Sequence, residues 1–299
     1  MGDAWKSFTA GTVAALAAGA VTHPIDLVKV RIQLHGGKDG MLTQDLTKPP
    51  GMTRTALHIC RNRGVTALYQ GLSASLLRQA MFIGTKFGAY DVLKAAVDDG
   101  SGKLSFVAKT SCGFGAGAIG AAVGNPADLA MVRMQADGRL PVHLRRNYAN
   151  GFTAIRDVVR EEGLFALWRG CTPTVQRAML ITASQLAVYD EFKEYLAAHT
   201  SLDENHPSSH ILCSLFASSV ASLTSNPVDV IKTRLMNMKA LPDGTLPYKG
   251  SLDCAVQTAR QEGVMALYKG LVPTMARQAP LNAVRFVVVE QMRKILAPL

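Results

Sequence analysis

The chain has few cysteines, few aromatic residues and no grouping of nucleophile, base and metal ligand. Its five cysteines, Cys60, Cys112, Cys171, Cys213 and Cys254, show no CxxC spacing, which excludes the common zinc and redox motifs. Their odd number also argues against a closed disulfide framework, and buried free thiols are expected. No Ser/His/Asp or Cys/His constellation and no metal-ligand cluster appears, so no enzyme is expected and no cofactor is called for. Aromatic residues make up 6% of the chain and are not interleaved with the basic ones, so a nucleic-acid stacking platform is not expected. No cleavable-signal layout opens the chain: Asp3 sits beside Lys6, and the next apolar run ends in His23-Pro24-Ile25-Asp26. Targeting is therefore expected to be internal. Acidic residues are outnumbered by basic ones, 22 against 32, and the net charge of +10 favours anionic partners.

What the chain does have is a repeat. Pro24-Ile25-Asp26-Leu27-Val28-Lys29-Val30-Arg31 returns as Pro126-Ala127-Asp128-Leu129-Ala130-Met131-Val132-Arg133 and again as Pro227-Val228-Asp229-Val230-Ile231-Lys232-Thr233-Arg234. A second mark follows in each unit: Gly64 with Tyr69-Gln70-Gly71, Gly163 with Trp168-Arg169-Gly170, and Gly263 with Tyr268-Lys269-Gly270. Both marks keep a period near one hundred residues, so three copies of one unit are expected, over 1–100, 101–200 and 201–299.

Six apolar stretches, near 8–25, 72–90, 104–129, 172–189, 211–230 and 271–289, approach the roughly 20 residues that a membrane-spanning helix needs. Arg78, Lys86, Arg177, Arg277 and Arg285 interrupt them. Cations at membrane depth are costly, so these should face a bundle interior or wet cavity. A soluble solenoid is the competing reading, but its usual repeats of about 34–47 residues are far shorter. Small residues four apart, such as Gly11, Ala15 and Gly19, or Ser214, Ser218 and Ser222, suit close helix approach. Gly115–Gly120 fits GxGxxG, but no strand pattern precedes it and a dinucleotide site is rejected. Each signature proline should kink its helix. Short amphipathic helices are expected at 53–63, 151–162 and 251–262, inside polar segments 35–70, 137–169 and 237–269. Those segments carry more Lys and Arg than the short connections with Asp98, Asp99, Asp203 and Glu204. The positive-inside tendency therefore puts both termini on the opposite side.

The two motifs, PxDxx[KR]x[KR] and [DE]Gxxxx[YWF][KR]G, each three times over, resemble those of the mitochondrial carrier family. The resemblance covers nearly the whole chain. It implies an all-α membrane protein of six transmembrane helices in three pseudo-symmetric repeats, with short helices on the matrix side. It also implies the inner mitochondrial membrane, termini toward the intermembrane space, and alternating access to its two sides. Departures are Arg63 for the acid before Gly64, Gln70 for the base before Gly71, and Met131 for the base of the second signature.

By the same resemblance, charge networks gate both ends. At the matrix gate Asp128 would meet Lys232 and Asp229 would meet Lys29, while Met131 leaves Asp26 without its usual cation. Gln33 and Gln135 match brace positions below, with Met236 in the third. At the cytosolic gate Asp91–Lys193, Asp190–Arg293 and Glu290–Lys94 would pair, braced by Tyr90 and Tyr189. Read from spacing alone, these could equally be surface pairs along single helices.

Thirteen residues before Asp91, Asp190 and Glu290 stand Arg78, Arg177 and Arg277. The resemblance places substrate contacts there, about midway through the membrane. A guanidinium fork matches carboxylate oxygens. Five residues before the same acids stand Lys86, Gln185 and Arg285, a second tier about 12 Å away along the helices. For Lys86 and Arg285, snorkelling or interhelix pairing is the other reading. The wording around Arg78, around Arg133 to Pro141, and through Arg177-Ala178-Met179 is similar to the dicarboxylate and oxoglutarate–malate branch. The 125–128 and 225–229 segments are closest to its plant and algal members. This implies exchange of malate, 2-oxoglutarate, succinate or oxaloacetate, with phosphate and sulfate as further candidates, by a monomer in contact with membrane lipid such as cardiolipin. An uncoupling-protein-like proton leak or anion uniport is the alternative. Arg285 fits neither branch.

Overall fold

The computed structural model describes residues 2–35, 51–97, 105–140, 145–199, 207–238 and 245–296. Asp98, Asp99, Asp203 and Glu204, used above to orient the chain, lie outside these. Among the described residues each third of the chain has one plan: long helix, short helix, a single 3₁₀ turn, long helix. The helices are α1 (Gly2–Gln33), α2 (Met52–Arg63), α3 (Leu72–Val97), α4 (Phe106–Asp137), α5 (Gly151–Glu162), α6 (Cys171–His199), α7 (Pro207–Asn237), α8 (Ser251–Glu262) and α9 (Leu271–Leu296). The 3₁₀ turns are Val65–Tyr69, Leu164–Trp168 and Val264–Tyr268.

The six long helices close into a ring. Within repeats, α1 touches α3, α4 touches α6 and α7 touches α9; between repeats, α3 lies along α4, α6 along α7 and α9 along α1. At one end α1, α4 and α7 also meet each other. Pro24, Pro126 and Pro227 lie inside these three helices. A proline inside a helix removes a backbone donor and favours a bend at that point. The charged signature turn beyond each proline stays helical, so α1, α4 and α7 run well past the apolar stretches that announce them.

The residue before each proline anchors this point. Asn125 donates Nδ2 to the Leu167 carbonyl oxygen at 2.7 Å, and Asn226 donates to that of Leu267 at 2.9 Å. His23 reaches the Gln70 carbonyl oxygen with Nε2 at 2.9 Å. Each bond ties a long helix to the turn that ends its own short helix. The short helices bury one face, with positions four apart: Thr55 and Ile59, Ala154 and Val158, Cys254 and Thr258. Ile59 packs on Leu27, Val28 and Ile32, and Val158 on Leu129. Truncating Ile59 to Ala would cost about 2–5 kcal/mol. Helix α5 starts with a reciprocal cap, Asn150 Oδ1 accepting from Thr153 N–H and Thr153 Oγ1 from Asn150 N–H.

Gly71, Gly170 and Gly270 have φ of 85°, 78° and 86°, a conformation that favours glycine. Their faces also abut the next repeat. A Cβ on Gly71 would lie 3.2 Å from Gln135 Cγ, on Gly170 2.8 Å from Met236 Cγ, and on Gly270 2.8 Å from Gln33 Cγ.

Among the described residues, Thr9–Gln33 alone is long and apolar enough by itself to cross a membrane. The other long helices carry arginines and lysines that lower their mean hydropathy. They still present exposed apolar side chains such as Val92, Phe216, Val272 and Phe286.

Candidate functional site

Where α1, α4 and α7 converge, three aspartates and five cations form one network. Lys29 Nζ on α1 donates to Asp229 Oδ2 on α7 at 2.7 Å. Lys232 on α7 pairs with Asp128 on α4. Met131, the position equivalent to these lysines, supplies no charge. It packs instead beside Val132 and Met236 on one side and Ala74 and Ala130 on the other.

The second helix of each repeat then adds an arginine. Arg78 of α3 lies 3.8 Å from Asp128, Arg177 of α6 pairs with Asp229, and Arg277 Nη1 of α9 lies 2.8 Å from Asp26 Oδ1. The three arginines therefore do not stand alone in mid-span; each reaches a signature aspartate. Asp26 is not left without a cation either, because Arg277 stands in for the partner that Met131 cannot provide. The network is unequal. Asp128 and Asp229 are buried and each faces two cations, whereas Asp26 is more open and has Arg277 as its one ion-pair partner among the described residues.

Below the network Thr233 Oγ1 donates to Gln33 Oε1 at 2.9 Å, joining repeats 3 and 1. Gln135 is fully buried, and its backbone oxygen accepts from Arg31 Nε at 3.4 Å. The second-tier side chains Lys86, Gln185 and Arg285 are exposed. Lys86 Nζ sits 5.9 Å from the Phe82 ring centroid. The charge neighbours of Arg285 are Arg277 and Arg78. Ala178 accepts a hydrogen bond on its carbonyl from Thr182.

At the opposite end Asp91 and Lys94 are exposed, and Glu290 takes Lys294, four residues on, at 2.9 Å. Among the described residues neither Asp91–Lys193 nor Glu290–Lys94 is joined. The side chains of Asp190 and Arg293 lie outside those described. Tyr90 and Tyr189 are half-buried. The structure is thus shut at the signature end, where the aspartates are paired with cations.

Outside the ring, two further clusters clamp the short helices. Arg133 grips Glu162 with both guanidinium ends, Nη2 to Oε2 at 3.0 Å, and Arg169 joins the same carboxylate. Arg234 grips Glu262 likewise, Nη2 to Oε2 at 2.9 Å, with Lys269 at 2.6 Å. Burial pushes both carboxyls up, but the bonded cations outweigh it and hold them below the usual carboxylate range. Burial raises the Cys254 thiol to about 11, which makes it a poor nucleophile at neutral pH. Sequence reasoning assigned no role to Glu162, Glu262, Asn125 or Asn226. The available signal was their recurrence beside motif residues already counted.

Comparison with known proteins agrees with this geometry. The pattern of the mitochondrial carrier protein family matches at residues 2–100, 102–200 and 203–298. The chain is 48% identical to mitochondrial uncoupling protein 4 of Arabidopsis thaliana, over 97% of this chain and 98% of that one. It is 44% identical to a probable mitochondrial 2-oxoglutarate/malate carrier protein of Dictyostelium discoideum, covering 96% and 88%. It is 42% identical to the mitochondrial 2-oxoglutarate/malate carrier protein of Bos taurus, covering 96% and 90%. With its signature repeated three times and its six long helices closed in a ring, the chain belongs to the mitochondrial carrier family, and is a six-span transport protein of the inner mitochondrial membrane.

Proposed function

We propose that this carrier exchanges dicarboxylates, of the malate and 2-oxoglutarate kind, by alternating access. The observation that carries the reading is the charge of the network: five cations face three carboxylates, a surplus of two positive charges. A dianion neutralises that surplus; a monocarboxylate neutralises half of it. Arginine stays charged at any physiological pH, so the surplus is permanent.

The same geometry supplies a coupling. Arg78, Arg177 and Arg277 are each held by a gate aspartate. A substrate carboxylate entering from the open end competes for the same guanidiniums. Each arginine it captures weakens the hold on Asp128, Asp229 or Asp26. Charge-assisted bonds are worth about 1.5–3 kcal/mol, so shifting even one is a tenfold or larger bias between two states. The signature end is the matrix gate in this reading, the termini face the intermembrane space, and the described state is open to the cytosolic side. Asp91, Lys94, Asp190, Lys193, Glu290 and Arg293 close the other gate when the first opens. Lys86, Gln185 and Arg285 form a second tier of contacts.

The similarity to a plant protein named an uncoupling protein favours a second reading, uniport or proton leak. Reconstitution separates the two. Liposomes preloaded with malate should take up labelled malate or 2-oxoglutarate, and empty liposomes should not. Uptake independent of internal dicarboxylate, or proton flux without it, would favour the second reading.

A further inference from the structure

Repeat 1 breaks the clamp that the other two repeats share. In repeats 2 and 3 a buried signature arginine grips a glutamate at the end of the short helix, and a second base completes it. The equivalent positions in repeat 1 are Arg31, Arg63 and Gln70. The carboxylate has become a guanidinium, and the second base has become an amide.

Arg31 is nevertheless buried like its counterparts. Its recorded bonds go to neutral acceptors and are long, 3.3 Å to Gln70 Oε1 and 3.4 Å to the Gln135 carbonyl oxygen. A guanidinium has five N–H donors, and these bonds among the described residues engage two of its nitrogens. Arg31 and Arg63 converge on the same spot. A Cβ built on Gly138 would overlap Arg31 Nη2 and would lie 2.9 Å from Arg63 Nη1. Arg139 and Arg145, from the segment after α4, are the other cationic neighbours of Arg31.

Among the described residues one carboxylate, Asp137, is near this group, and both its oxygens already accept hydrogen bonds. Oδ1 accepts from Arg146 N–H at 2.6 Å and Oδ2 from Asn147 N–H at 3.0 Å. Among the described residues, Arg31, Arg63 and Arg145 therefore face one carboxylate. Burial and the Arg145 charge lower the Arg63 pKa, the response of a cation crowded by its own kind. Such crowding is relieved by an anion bound between the groups.

We propose that a phosphate group binds between Arg31, Arg63 and Arg145, in the place that Glu162 and Glu262 hold in the other repeats. A phosphate carries about −1.5 to −2 charges and three acceptor oxygens, enough for several guanidiniums at once. A single carboxylate would leave most of the surplus. Because Arg31 and Arg63 belong to repeat 1 and Arg145 to repeat 2, the bound group joins two repeats at the shut end. The site lies outside the aspartate network and does not depend on which substrate the cavity takes. The phosphate can come from a soluble anion or from a phospholipid headgroup.

The full-length carrier in detergent, at fixed ionic strength, is titrated with inorganic pyrophosphate and followed by thermal unfolding. A second arm compares phosphatidylcholine nanodiscs with and without cardiolipin. Arg63→Glu supplies Arg31 with the missing carboxylate and should fold, while blocking the site from within. Arg145→Gln removes one cation more mildly. Stabilisation by pyrophosphate, or by cardiolipin, should weaken roughly tenfold or more in both variants, the scale of one charge-assisted bond. Whichever arm responds identifies the source. Arg285→Gln, which removes a cation outside both this cluster and the aspartate network, should keep the response. The proposal is overturned if Arg63→Glu and Arg145→Gln respond to both probes as the unaltered protein does, or if the response disappears in Arg285→Gln and persists in Arg63→Glu.

Discussion

Arg277 on α9 holds Asp26 on α1 at 2.8 Å, and so fills a position that Lys29 and Lys232 fill for the other two signature aspartates. In the proposed mechanism one side chain thereby serves both the cavity and the gate. Arg78 and Arg177 are duplicated at their aspartates by a lysine; Arg277 is not.

This division predicts an asymmetric response to substitution. Arg277→Ala should open the signature end more than Arg78→Ala or Arg177→Ala, because Asp26 then loses its described ion-pair partner. Adding Met131→Lys to Arg277→Ala should restore closure but not transport. The check is thiol labelling of single reporter cysteines placed just inside each end, in a background without the five native ones. If accessibility at the two ends is the same in Arg277→Ala with and without Met131→Lys, Met131 does not govern the balance.

Each of Arg78→Ala, Arg177→Ala and Arg277→Ala should lower dicarboxylate exchange in proteoliposomes by a factor of about ten to a hundred, the worth of one charge-assisted contact. The proteins should still extract as folded monomers. Unaltered exchange in any of the three removes that arginine from the substrate site.

Discrimination should follow charge count. Malate and 2-oxoglutarate should compete for uptake far better than lactate, pyruvate or neutral amino acids, because the network carries two positive charges in excess. Equal competition by a monocarboxylate would contradict a site that needs two anionic groups.

The clamps around Glu162 and Glu262 predict an acid limb. Their folded pKa values lie below the ordinary value of about 4.5. Their contribution is therefore complete above that pH and is lost as pH falls through the folded values. Unfolding temperature should hold from neutral pH to about 5 and drop below about 4.5. Glu162→Gln and Glu262→Gln should each lower it at pH 7 and flatten the drop. A drop of unchanged depth in the double variant would assign it to other carboxylates.

Much of the scaffold is legible in the sequence because the repeat states each element three times. The short helices begin and end within a residue or so of the amphipathic segments 53–63, 151–162 and 251–262. The long helices are less legible. Hydropathy stops at charged residues such as Asp26 and Lys29, but helical hydrogen bonding continues through them, as a packed helix end readily allows. The meeting of Arg78, Arg177 and Arg277 with the aspartates was not legible at all. Counting residues places a Cα along a helix, and a guanidinium ends several ångströms from its Cα. The anchoring by Asn125 and Asn226 spans 42 and 41 residues, a distance over which periodicity carries no information.

The contact of Gly270 with Gln33, together with Lys29 on Asp229, closes the ring between the last third of the chain and the first. Nothing made earlier can take its place. Two packed repeats leave the seam open, with Lys29 and Gln33 still awaiting Asp229, Thr233 and Gly270. Those partners are more than 190 residues downstream, so this is the most non-local step in assembly, and steps of that kind are slow. Until the third repeat seats against the first, the ring stays open along a charged seam, and a partly assembled form of that kind is the one most open to degradation or mispairing.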